Sequence, residues 1–103
     1  MEWDKSRLIE FLESNDQQQI IVEDTGGAVR LRGMLKHPGE RDICGSILYE
    51  ATLIPVIEGL EVSLTLHNDF LGIHILADST HGNESSLSCA AEISYKKLAI
   101  YPG

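Results

Sequence analysis

A chain of 103 residues carrying 16 acidic against 8 basic side chains, net charge −8, makes one domain that can bury a core without disulfide or metal staples. That charge repels nucleic acid and anionic membranes and speeds encounter with basic partners. The opening MEWDKSRLIEF is too polar for a signal peptide and no apolar run approaches membrane-spanning length, so the expected location is cytoplasmic.

The first predicted element is an amphipathic helix over Asp4 to Ser14. Asp4 suits the N-cap, Leu8, Phe11 and Leu12 form an apolar stripe, and Asn15 suits a left-handed terminator. Trp3, just before it, reads as a packing anchor. Two strands follow, QQQIIVE and AVRLRGMLK, joined by Asp24 to Gly27. A loop of that length sets Val22 opposite Val29 and Ile20 opposite Leu31. Arg30, Arg32 and Lys36 then share the other face, with Glu23 diagonal to Arg30, which reads as a partly neutralised ladder.

His37-Pro38-Gly39-Glu40 has the order of a type II turn. The apolar run Ile43 to Ile57 is expected to be one long strand, with Cys44 inside it. Cys44 and Cys89 are too few for a disulfide framework and read as small buried thiols of a reducing compartment. Pro55 has no donor for a ladder, so a tight turn at Glu58-Gly59 is excluded in favour of a bulge, a longer loop or an unpaired edge.

Leu60 to Ala77 is the strongest signal in the chain, because its alternation sets a hairpin and its register together. A turn at Asn68-Asp69 places Leu66 opposite Leu71, Leu64 opposite Ile73, Val62 opposite Ile75 and Leu60 opposite Ala77. Ser79 to Ser86 reads as a surface loop. In the last strand, Leu87, Cys89, Ala91, Ile93 and Tyr95 share a face; Lys96-Lys97 interrupt it, and Leu98, Ile100 and Tyr101 dock the tail.

The expected fold is α+β: an N-terminal helix packed on a strongly curved antiparallel sheet, a meander or half-barrel of five or six strands. One short helix cannot cover so wide a sheet, so either the sheet curls around it or the excess meets a partner or a second copy.

Ser63, His74 and Glu61 fall close together on the outer face, but no strained nucleophile turn or oxyanion donor accompanies them, so no catalytic residue is expected. His67 and His74 with Asp69 or Asp78 lack the spacing of a metal site, and no cofactor motif is present. The expectation is a non-enzymatic protein that binds and inhibits a larger, basic protein, of the immunity-protein, antitoxin or phage anti-defence type. The alternatives are a small-ligand-binding or enzymatic half-barrel and a self-assembling subunit, and homodimerisation is expected. Partner contacts are assigned to Glu58, Glu61, Asp69, Phe70, His74, Leu76 and Asp78, with the carboxylates steering and the apolar residues anchoring.

Overall fold

The computed structural model describes residues 2–56, 59–77 and 87–103, with only the backbone described at 43, 76, 77 and 87–90. Helix α1, Lys5–Ser14, starts where expected, with the Asp4 side chain accepting from the Arg7 amide at 2.8 Å. Its end departs from expectation. Asn15 keeps a negative φ of −115° and its side chain donates to the Phe11 carbonyl, while the left-handed residue is Gln17, at φ 65°.

The strands are β1 (Gln19–Asp24), β2 (Arg30–Ile43), β3 (Ser46–Pro55), β4 (Leu60–Leu66), β5 (Phe70–Ala77), β6 (Leu87–Ser94) and β7 (Leu98–Pro102), forming one antiparallel sheet in the order β6-β5-β4-β3-β2-β1-β7. The α+β class and the curved sheet are as expected, but among the described residues the strands number seven rather than five or six. The difference lies in the last segment, which a 3-10 turn at Tyr95–Lys97 divides into β6 and β7. Those two strands form the opposite edges of the sheet. Laid flat, seven strands would hold their edges roughly 29 Å apart. The link from Ser94 to Leu98 spans no more than about 14 Å. The sheet must therefore curl nearly into a barrel. The alternating antiparallel order makes β6 and β7 run the same way at the two edges. The amide of Thr25, just past β1, donates to the Lys97 carbonyl at 2.8 Å and pins that corner.

Helix α1 lies across the mouth of the barrel, with Leu8 and Leu12 fully buried among the inward residues Ile20, Val22, Leu35, Leu53, Leu64, Leu66 and Leu71. The β4–β5 register matches the sequence reading at every pair, including Ser63 opposite His74. The β1–β2 pairing keeps the expected faces but shifts along the ladder: Val22 faces Leu31, and Glu23 stands directly opposite Arg30. Pro55 ends β3 opposite Gly33, and Val62 pairs with Leu53, so a longer connection replaces the tight turn.

Two expectations fail together. His37-Pro38-Gly39-Glu40 is not a turn but a bulge within β2, where the ladder shifts between Lys36 and Gly39 and His37 takes φ 55°. The reversal comes at Cys44-Gly45, both with positive φ (51° and 84°), a turn whose twist suits a tight hairpin. Cys44 is accordingly exposed at a tip instead of buried in a strand. Cys89 lies on β6, where only the backbone is described.

Candidate functional site

The outer face of the β4–β5 hairpin holds most of the residues assigned to partner binding. Glu61 is exposed, and His74 and Phe70 are half-buried. Phe70 does not pack on α1; its ring stacks on His67, with centroids 4.4 Å apart and planes 19° from parallel. Between the histidines lies Gly72. A Cβ at that position would stand 3.3 Å from Nε2 of His67 and 3.6 Å from Nε2 of His74. Both imidazoles thus lean over the glycine, and Thr65, opposite it, is buried. Among the described residues no group of three or more His, Cys, Asp or Glu side chains is arranged to hold a metal ion. Glu58 and Asp78 lie outside the described residues, as does the side chain of Leu76.

Around the turn the same hairpin reaches a second surface. Asn68 and Asp69 line an open groove of about 430 Å³ together with Glu2, Trp3, Asp4, Ser94, Tyr95 and Lys96. Three chain segments meet there, and Tyr95 ties two of them, its own and the β4–β5 turn. Its amide donates to the Asp69 carbonyl at 3.2 Å and its hydroxyl to the His67 carbonyl. Trp3 packs edge-on against Phe11, with centroids 5.6 Å apart, which fixes the wall formed by the helix start. Glu2, Asp4 and Asp69 face a single lining cation, Lys96. The negative field registers on Tyr95, whose pKa is pushed up to about 12 by burial first and then by Asp69 and Asp4.

The structure thus brings Asp69 and Phe70 to the turn end of the hairpin, with His74 midway along it and Glu61 farther still. Sequence reasoning missed Glu2, Trp3, Asp4 and Lys96 as groove residues. Trp3 was read as an anchor only, and nothing local to it signals the distant Asp69. The basic face of β2 is partly neutralised as expected: Glu23 accepts from Arg30 Nε at 2.9 Å and from the Tyr101 hydroxyl at 2.6 Å. Those two bonds hold the Glu23 carboxyl below its usual range, the tyrosine contributing more.

No helix of the described residues is long and apolar enough to cross a membrane. No family model, curated protein or solved structure matches the chain.

Proposed function

We propose that this protein is a non-enzymatic, cytoplasmic interaction protein that binds and inhibits a larger basic protein, in the manner of immunity proteins, antitoxins and phage-encoded anti-defence inhibitors. The observation that carries the reading is the groove at the β4–β5 turn, where Glu2, Asp4 and Asp69 surround an aromatic wall formed by Trp3. A lysine or arginine side chain fits such a groove, since its stem packs on the ring while its charge meets the carboxylates. The stacked His67 and Phe70 rings offer a neighbouring apolar contact. A small-ligand half-barrel is less well supported, because Leu8 and Leu12 fill the space between helix and sheet. Homodimerisation also loses part of its motive, since the sheet covers its inner face by curling on the helix.

Capture from the native host followed by binding kinetics tests the proposal. Asp69→Lys and Glu61→Lys are expected to slow association on the order of tenfold and flatten its salt dependence, while Phe70→Ala chiefly speeds dissociation. An association rate equal at low and high salt rejects the electrostatic reading.

A further inference from the structure

Strands β2 and β3 outrun their neighbours. β1 pairs β2 only as far as Met34, and β4 pairs β3 only from Tyr49 onward, so Glu40–Ile43 and Ser46–Leu48 stand out as a two-stranded arm. A free ribbon of this length is marginal in water, yet this one is braced. Its turn is closed by the Gly45 amide donating to Asp42 Oδ1 at 3.1 Å. At its base the Arg41 guanidinium donates to the His37 carbonyl at 2.7 Å and the Glu40 carbonyl at 3.2 Å, clamping the bulge. These bonds hold the arm's shape without reaching the core.

One face of the arm carries the cross-strand pairs Asp42–Ile47 and Glu40–Tyr49. It prolongs the buried face of β3, but the helix covers that face only as far as Tyr49, whose hydroxyl donates to Glu13 at 3.2 Å. Ile47, the next inward residue, is left 66% exposed. Four exposed carboxylates lie along this region: Glu40 and Asp42 on the arm, Glu13 and Asp16 at the helix end. Burial, then Glu13 and to a smaller degree Asp16, push the Tyr49 pKa up to about 12, placing both helix-end charges near the arm's base. Arg41 opposes Leu48, but its guanidinium, folded back on the bulge, also acts on Tyr49 and partly offsets the carboxylates there.

We propose that this arm is a docking surface for a basic protein segment, with Ile47 entering an apolar pocket of the partner and the carboxylates meeting cations at its rim. The inference rests on the reading of the protein as a binder of basic partners and adds a surface at the far end of the helix from the groove. Charge complementarity selects the occupant. Two copies of this face would set carboxylates against carboxylates, and a nucleic acid would be repelled. A braced arm also loses little freedom on binding, which favours affinity.

The test is a titration of the isotope-labelled full chain, followed by NMR, with a short synthetic peptide alternating lysine and isoleucine. A glutamate–isoleucine peptide serves as control. The lysine peptide is expected to shift the amides of residues 40–48, and Ile47→Asp and Asp42→Lys to weaken binding on the order of tenfold, while Glu92→Lys, exposed on β6 away from the arm, leaves it within about twofold. Ile47 and Asp42 are exposed, so both variants should fold, and unchanged spectra elsewhere will verify it. Shifts centred on Trp3 and Asp69, or binding unaffected by Ile47→Asp, would overturn the arm's role while leaving the groove's standing. Concentration-dependent broadening at 40–48 without peptide would instead seat a second copy there and equally overturn the proposal.

Discussion

Gly33 shows how much a single missing atom decides. A Cβ on it would stand 2.6 Å from the Ile54 carbonyl oxygen and 2.9 Å from the Pro55 nitrogen, both backbone. A backbone cannot swing aside as a side chain can, so Gly33→Ala is expected to cost about 1 to 3 kcal/mol, read as a lowered urea midpoint. The alternation of β2 shows that Gly33 faces inward; the approach of β3 is a tertiary fact that no local pattern carries. The tyrosines give a second prediction. Tyr49 and Tyr95 have their pKa raised from 10.0 to about 12, chiefly by burial. A raised folded value means that the unfolded chain releases its proton first, so their contribution is whole below pH 10 and lost as pH climbs toward 12. Denaturant midpoints measured across that interval should fall, and Tyr49→Phe and Tyr95→Phe should each flatten the fall.

The two long hairpins explain which elements could be read in advance. In β4–β5, strict alternation on both strands leaves one register that buries every aliphatic, and that register is observed. In β2–β3 the usual punctuation misleads. Pro38 and Gly39 are turn residues, but a bulge also tolerates a proline that cannot donate, and the ladder resumes beyond them. The true turn hides behind Cys44, a residue without turn preference; Gly45 was its only cue. Since Cys44 holds φ 51°, Cys44→Asn should raise stability by about 0.5 to 1 kcal/mol, because asparagine accepts left-handed backbone more readily. Thermal unfolding checks this, and no gain would mean that the turn is looser than its angles imply.

For the molecule as a whole, class was legible from the hairpins, and curvature was one of two ways to match a short helix to a wide sheet, the other being a partner on the excess. The groove was not legible, because Trp3, Asp69 and Lys96 come together only when the barrel closes. The curled sheet ends in β7, which pairs with β1 from Leu98 opposite Asp24 to Pro102 opposite Ile20 and buries Leu98 and Ile100. A chain truncated after Lys97 is expected to lose cooperative unfolding, as seen by calorimetry. A truncated form with the full-length transition would show that β7 is only an accessory to the barrel.

That closing strand also has a meaning during biosynthesis. Of the two neighbours of β1, β2 follows at once in the chain, whereas β7 is the last of the described strands to be made. Until Leu98–Pro102 leave the ribosome, the β1 edge has no mate, and Ile20 and Val22 lack the cover of Leu98 and Ile100. The nascent protein therefore passes through an interval in which an apolar strand edge is open to other chains. Slow decoding of the segment between β1 and β7 should lengthen that interval and raise the demand for chaperones.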